Sequence, residues 1–500
     1  MEIIQKLLQQ ARANPERNIL HGDSGEAWTY RDLCDRLLDV STFLEQEEGR
    51  VGLLMQKTRP FTASFFGALT VGRVPVPLNY YLGSDALRYI CDASNITTVI
   101  GDGSFPEKEE AIPMNVMDYA EVKEIPSGDR QGSSLSSLYE LAEEVHDPFS
   151  VLLFTSGTTS NPKGVMLTEE NIISNVKGSR AAMELRSDDH FLSSLPLFHS
   201  FGLSCGLLLP LLSGIPTTVE SSFSPGRVLD TIPKQKVTVY LAVPSQYRAM
   251  AKRASRKPDL TPFHERHDSI RFISGGEPFP QPARKKIGQL LEQPVLEGYG
   301  LTETSPVVSV NELDEFKEGT TGRPLENLQV RIASPEDPES SRAPGKRGEI
   351  QVKGPSVMRG YLNADRDPFT SDGWFRTGDI GTLDEDGFLN VTGRLKDLII
   401  SSGENISPLR IKEYLLRQPE IEQAAVIGVA DQKRGEVPAA FVTLKDGQDL
   451  DQEHLRRSIR EQLGKLYVPS DVHVMEELPM GPTGKVLKRK LSEMASQDHS

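Results

Sequence analysis

Thr155-Ser156-Gly157-Thr158-Thr159-Ser160-Asn161-Pro162-Lys163-Gly164 separates two apolar runs, Ser150 to Phe154 and Val165-Met166-Leu167. Apolar runs bounded by such a stretch read as buried elements, so the decapeptide is a loop at the end of a core strand. Its hydroxyls and backbone N–H groups can surround an anion. Gly157 and Gly164 permit close backbone approach and Lys163 adds one positive charge, a combination that suits a polyphosphate better than a single carboxylate. The spacing is not that of a Walker loop: Pro162 stands in place of the second glycine, and Gly164 follows the lysine where Ser or Thr is required. On composition alone the same stretch also reads as a flexible turn. Downstream, Thr168 can N-cap a helix with Glu169 and Glu170 in its first turn and Ile172, Ile173 and Val176 on its apolar face. This strand, loop, helix order predicts a helix N-terminus close to the bound phosphates.

Length bounds the architecture. Five hundred residues predict two or more cores, and 25% charged with 37% apolar residues fits a soluble enzyme. A net charge of -15 argues against a nucleic-acid binder or a polybasic membrane anchor. Cys34, Cys91 and Cys205 are odd in number and lack a C-x-x-C pair, which speaks against a disulfide framework or zinc site and for a reducing cytoplasm. Met1 to Asn18 mixes charges with apolar residues at helical spacing and is not a secretory segment. Phe201 to Ile215, the most apolar stretch, is broken by Pro210 and glycines and is too short to span a bilayer. It reads as a buried segment, so contact with a membrane is at most peripheral.

Residues 1 to about 100 alternate helical and extended patterns: Trp28-Thr29-Tyr30 leads into a helix, Val51 to Met55 reads as a strand, Phe65 to Leu69 as a helix and Val74 to Leu78 as an extended edge. Residues 102 to 147 read as an irregular surface connection. Val237 to Val243, Arg271 to Ser274 and Pro294 to Leu296 read as strands, the last two ending in Gly275-Gly276-Glu277 and in Glu297 to Thr304. Strand ends of a doubly wound sheet are where ligands bind. From about 320, short strands and turns predict a small antiparallel barrel or sheet. The last hundred residues, with helix, strand, strand, helix and strand patterns, predict a separate α+β module.

Five further motifs follow the loop in order: Leu195-Pro196-Leu197-Phe198-His199, Gly298 to Thr304, Trp374 to Asp379, Gly393-Arg394-Leu395-Lys396-Asp397 and Pro482-Thr483-Gly484-Lys485. With the decapeptide, this series resembles the adenylate-forming superfamily of acyl-CoA synthetases, peptide-synthetase adenylation domains and luciferases over nearly the whole chain. The resemblance implies an α/β fold in which a large N-terminal domain, residues 1–394, combines two α/β subdomains with a small β-barrel-like one. A small mobile α+β domain, residues 395–500, would follow. In such enzymes a carboxylate attacks the α-phosphate of ATP, pyrophosphate leaves, and a thiol then attacks the acyl carbon of the adenylate.

The resemblance also implies roles. Thr155, Ser156, Gly157, Thr158, Thr159 and Lys163 would hold phosphates. Glu303 would hold Mg2+, a hard cation that prefers oxygen ligands. Thr302 would touch the α-phosphate, and Gly275, Gly276, Glu277, Gly298, Tyr299 and Gly300 would border the nucleotide, with Glu277 standing where relatives more often have a small residue. Asp379 would accept both ribose hydroxyls, for which a carboxylate has lone pairs enough, and Arg394 would reach the same sugar; a T-G-D stretch also reads as a turn cap. Lys485 would supply positive charge to the adenylation transition state; it also reads as part of a solvated cluster with Lys488, Arg489 and Lys490. Lys396 would be the hinge whose rotation brings Ser402-Gly403-Glu404 to the site. Lys433 and Arg434 are weak candidates for coenzyme A phosphates.

His199 stands in a motif where amino-acid-activating relatives usually have an aspartate, so an uncharged acyl tail is expected; it reads either as a group that gates or orients the carboxylate or as a satisfied core histidine. The wording Leu195 to Leu203 resembles medium- and long-chain fatty acyl-CoA synthetases, so a fatty acid is the expected substrate. The alternatives are an aryl or other acid as substrate, an acyl carrier protein as acceptor, and a degenerate nucleotide-binding scaffold without activity.

Overall fold

The computed structural model describes the chain apart from residues 23–25, 113–114, 123–133, 143–146, 156–161, 255–269, 280, 365–366, 403, 432, 482–485 and 498–500. Among the described residues, the largest sheet is built on parallel strands in the spatial order Asn18–His21, Thr217–Val219, Phe191–Ser193, Val239–Ala242, Arg271–Ser274 and Val295–Gly300. These segments are short apolar runs because a parallel sheet is covered on both faces. Antiparallel strands close its edges, Ala27–Thr29 on one side and Val307–Val310 with Arg323–Pro324 on the other.

A second parallel sheet has the order Pro75–Pro77, Arg50–Leu54, Ile96–Gly101 and Asn115–Asp118. Pro75 and Pro77 lack N–H donors, which confines their strand to the edge. The stretch 102 to 147 is more regular than the sequence suggests. It supplies the last strand of this sheet and the helices Pro106–Ala111 and Ser134–Leu141. A four-residue strand whose apolar centre is only Val116 and Met117 is too brief to show a period.

The helix Tyr30–Leu44 starts at a capping box in which Thr29 Oγ1 accepts from Asp32 N and the Asp32 carboxylate accepts from Thr29 N. Thr168 and Asn171 do the same for the helix Glu169–Ala182. That helix does not follow the decapeptide directly. Val151–Thr155 and Lys163–Leu167 pair antiparallel, Thr155 opposite Lys163 and Val151 opposite Leu167, so the loop closes a hairpin. The helix N-terminus lies at the far end of the second strand, about 13 Å from Lys163 at the usual rise per residue. The expected dipole at the phosphates is therefore corrected: Glu169 instead accepts from Glu2 N and from the Met1 ammonium.

Gln329–Ala333, Gly348–Lys353, Phe375–Leu383 and Leu389–Arg394 form the expected antiparallel sheet. Phe201 to Ile215 is buried as expected, but it is wound as a π-helix, Phe201–Leu208, running into the α-helix Leu209–Ser213. No helix of the described residues is long and apolar enough to cross a membrane.

The carboxy-terminal module has the predicted order, with helix Pro408–Leu415, strands Ile421–Asp431 and Gly435–Leu444, helix Gln452–Leu463 and strand Val472–Met475. Ile399, Ile406, Ile411, Leu415, Val426 and Val442 belong to its own apolar cluster. It meets the rest of the chain through charge: Lys252 reaches Glu422 at 4.0 Å, and Lys412 and Arg248 both face Glu277.

Candidate active site

Carboxyl ends of the central parallel strands, the hairpin Val151–Leu167 and the antiparallel sheet enclose one cavity of about 620 Å³. Thr155, Lys163, His199, Gly275, Gly276, Gly298, Tyr299, Gly300, Thr302, Glu303, Arg394 and Lys396 all line it. Ser156, Gly157, Thr158, Thr159, Gly403 and Lys485 lie outside the described residues. A Cβ on Gly300 would sit 2.0 Å from the Pro306 carbonyl oxygen, so only glycine fits that close approach.

Asp379 sits behind this wall, 3% exposed. It is the cross-strand partner of Arg394, whose Nε donates to Asp379 Oδ1 at 2.8 Å, and Tyr299 Oη donates to Oδ2 at 2.8 Å. The carboxylate thus serves two side chains rather than capping its own turn. Burial pushes the carboxyl up from its ordinary range, while Arg394 and Tyr299 pull it back. Burial, then Asp379, holds the Tyr299 phenol well above its ordinary value, so it remains a donor. Thr377, Gly378 and Arg394 face the cavity around this pair. A carboxylate with lone pairs beyond those two bonds fits a diol at this corner.

Glu349, which the sequence reading missed, shapes the approach to Asp379. Its buried carboxylate accepts from Arg376 Nε at 3.0 Å and Gly378 N at 3.2 Å. A charge inside Gly348–Lys353, where five consecutive residues are buried, was the available signal.

Thr302 and Glu303 lie in the short turn Thr302–Thr304 after strand Val295–Gly300. Two asparagines of the helix Glu169–Ala182 anchor this region from below. Asn175 Nδ2 donates to the Thr304 and Val307 carbonyls at 3.1 and 2.7 Å, and Asn171 Nδ2 donates to those of Pro355 and Val357 at 2.8 and 2.9 Å. Tyr361 Oη donates to Glu303 Oε1 at 2.7 Å. Mg2+ is bound mainly through substrate phosphates with one or two carboxylates, and a single carboxylate at the cavity wall fits that donor set. Among the described residues no cluster of three or more metal-ligating side chains exists.

His199 lies on the cavity wall, where the Phe201 N–H donates to its Nδ1 at 3.3 Å. Ser200 Oγ is 3.1 Å from Thr302 Oγ1, which joins this motif to the turn that carries Glu303. Phe201 and Cys205 line the cavity from the π-helix, and the Phe201 ring packs against Gly275, where a Cβ would come within 3.2 Å. Burial pushes the Cys205 thiol up to about 12, so it is a neutral wall group and not a nucleophile.

Two expectations are corrected. Glu277 does not border the cavity; it faces Arg248 and Lys412 at the carboxy-terminal module, where a charged partner is available to it. Ser402 N donates to the Arg434 carbonyl at 2.7 Å, and neither they nor Lys433 line the cavity in this arrangement, the segment being expected there only on rotation about Lys396. Lys433 and Arg434 donate their backbone N–H groups to Asp431. Lys488 is not simply solvated: it donates to Asp397 Oδ2 at 2.6 Å, next to Lys396. Arg489 does remain exposed. Partial burial and Arg394 hold the Lys396 ammonium below the usual lysine range.

Residues 7–362 match the family of AMP-binding enzymes, and residues 411–485 match the AMP-binding enzyme C-terminal domain. The chain is similar to a feruloyl-CoA synthase of an Amycolatopsis species, 33% identical over 495 residues and 96% of each chain. It is also similar to a 2-succinylbenzoate–CoA ligase of Bacillus cereus, 33% identical over 506 residues and 98% of each. Among solved structures, the o-succinylbenzoate CoA synthetase of Bacillus subtilis in complex with ATP and magnesium ion superimposes with a TM-score of 0.82 at 28% identity, covering 97% of this chain and 98% of that one. The similarity thus runs to acid–CoA ligases and not to fatty acyl-CoA synthetases in particular.

Proposed function

This chain belongs to the AMP-binding enzymes, and from that premise we propose that it joins a compact aryl acid to coenzyme A. ATP-dependent acid–CoA ligation through an acyl-adenylate is the chemistry of its relatives, and the cavity supports it by combining polar and apolar walls. Gly276, Tyr299, Thr302, Glu303 and Arg394 line it together with Phe201, Cys205, Val307 and Val310. That combination carries the reading.

In the first half-reaction the substrate carboxylate oxygen bonds to the α-phosphorus and the bond to pyrophosphate breaks. Thr302 and Lys163 are the groups we assign to the phosphates, with the Asp379 carboxylate oriented for the ribose hydroxyls. When bound, Mg2+ neutralises phosphate charge, and Glu303 is the ligand we assign to it. In the second half-reaction a thiolate bonds to the acyl carbon and AMP leaves. We assign Lys485 to the first step and the segment Ser402-Gly403-Glu404 to the second, with Lys396 as hinge and the domain boundary at 394/395. The separate apolar cluster from Ile399 onward supports that boundary.

The volume favours a compact acid over a long alkyl chain, since a cavity of about 620 Å³ has to hold ATP as well as the acid. Phe201 gives its wall an aromatic side chain suited to an aromatic acid, and the names of the relatives agree with a ring-bearing substrate. A panel of ferulate, 2-succinylbenzoate, benzoate and C6 to C18 fatty acids, each with CoA or carrier protein and read as AMP and thioester, tests this. Thioester from aryl acids and CoA is expected; turnover confined to C12 or longer acids overturns the substrate, and AMP without any CoA thioester overturns the acceptor.

A further inference from the structure

Tyr361 belongs to none of the motifs that identify the site, yet it touches two of them. Gly360–Tyr361 forms a third strand beside Lys163–Leu167, Tyr361 opposite Val165 and Gly360 opposite Met166. Leu362 N donates to the Gly164 carbonyl at 2.7 Å and Arg359 N to the Met166 carbonyl at 3.0 Å, so the strand is sewn to the hairpin that carries the phosphate-type loop. At its other end Met358 N donates to the Glu303 carbonyl at 2.8 Å. The segment therefore spans from the loop hairpin to the turn bearing Glu303.

Its side chain repeats that connection. The hydroxyl donates to Glu303 Oε1 at 2.7 Å, and the Lys163 ammonium lies 4.8 Å from the centroid of the ring. Lys163 is exposed and on a flexible stem, so a ring face within cation–π range fixes where its charge waits. Among the described residues, Tyr361 is the only side chain that donates to the Glu303 carboxylate, and one bond to Oε1 leaves Oε2 for a cation.

We propose that Tyr361 is a positioning residue which sets, with one side chain, both the Glu303 carboxylate and the Lys163 ammonium for the metal–triphosphate end of ATP. This rests on the reading of Glu303 and Lys163 given above. The two halves of the side chain are separable. Tyr361→Phe keeps the ring under Lys163 and removes only the hydroxyl, whereas Tyr361→Leu removes both.

The test is calorimetric binding of ATP to the full chain, with saturating EDTA and across a Mg2+ titration, alongside thioester formation from a pre-formed acyl-adenylate. Tyr361→Phe is expected to raise the Mg2+ concentration for half-maximal ATP binding about tenfold, the scale of one hydrogen bond to a charged group. ATP binding in EDTA and thioester formation should stay unchanged. Tyr361→Leu should in addition weaken ATP binding in EDTA severalfold. Unaltered Mg2+ dependence in Tyr361→Phe, or equal weakening with and without Mg2+, overturns the proposal. Glu303→Gln separates the two levels: if it too leaves the Mg2+ dependence intact, the metal-ligand reading of Glu303 falls as well; if it shifts the dependence while Tyr361→Phe does not, only the role of Tyr361 falls.

Discussion

Asp379 and Arg394 face each other across adjacent antiparallel strands, and the 2.8 Å bond between them is completed by Tyr299 from the central parallel sheet. Two sheets therefore share one ion pair at the cavity wall. Asp379→Asn keeps the shape and removes the charge. The expected result is an ATP KM raised at least tenfold and a stability loss of about 1–2 kcal/mol, smaller than for a sealed pair because the Arg394 side chain is 48% exposed. Initial rates against ATP and urea unfolding of the same preparations check both.

Ser200 and Thr302 are joined hydroxyl to hydroxyl, so the acyl-side motif and the phosphate-side motif should not be independent. Each alanine substitution removes a bond worth about 1 kcal/mol. The double variant Ser200→Ala/Thr302→Ala is expected to lose at least 0.5 kcal/mol less than the sum of the single losses, on the order typical of directly coupled neighbours. Pyrophosphate exchange rates of the four proteins measure this; strict additivity would show the contact to be idle.

His190 supplies a pH dependence remote from the chemistry. Its Nε2 is 2.9 Å from Thr218 Oγ1, its ring lies 5.2 Å from that of His21, and burial followed by His21 lowers it to about 4. Between about 6.5 and about 4 the unfolded chain then binds more protons than the folded one, so stability is held above pH 6.5 and declines as pH falls through that window. The decline is bounded by about 3 kcal/mol from this residue. Urea midpoints from pH 7 to pH 4.5 should drop more steeply for the parent than for His190→Gln.

Glu277 and Lys412 predict how the carboxy-terminal module docks. Burial lowers the Lys412 ammonium while Glu277 works to keep it charged, and Glu277 Oε1 is buried without a hydrogen-bond partner among the described residues. Glu277→Gln leaves that ammonium facing Arg248 with less compensation. Cleavage by a dilute protease between residues 395 and 407 is expected to quicken roughly fivefold, the factor carried by about 1 kcal/mol. Adding Lys412→Met should restore the parent rate, since a methionine of similar length needs no counter-charge.

The fold was legible where periodicity or order is local. Arg271–Ser274 announces itself as an apolar run ending in glycines, and Thr168 as a cap followed by Glu169 and Glu170 in the first turn. The site was legible where motif order fixes it, which is why Thr302, Glu303 and Arg394 arrive at one cavity. Tyr361, Glu349 and Asn175 were not, because each acts through side-chain hydrogen bonds on partners distant along the chain, which leave no spacing to read. The hairpin was misjudged because Val165-Met166-Leu167 shows an apolar run but not its direction relative to Val151–Thr155. The acid was not legible beyond its class, because Leu195 to Leu203 describes one stretch of the wall, whereas Cys205 and the strand residues Ser309 and Val310 line it from other elements.

The acyl wall is wound as a π-helix, with Gly202 so close to the Pro196 carbonyl that a Cβ would come within 2.4 Å. Such a winding holds more residues per turn than an α-helix. Loss of one residue between Phe201 and Leu208 would let the segment tighten toward the commoner form, and the two changes nearly cancel in angle, so Leu209–Ser213 would keep its facing. This is the one stretch of the cavity wall where a shortened chain is expected to fold around an unturned neighbour, a tolerance of length that a survey of substitutions alone would never sample.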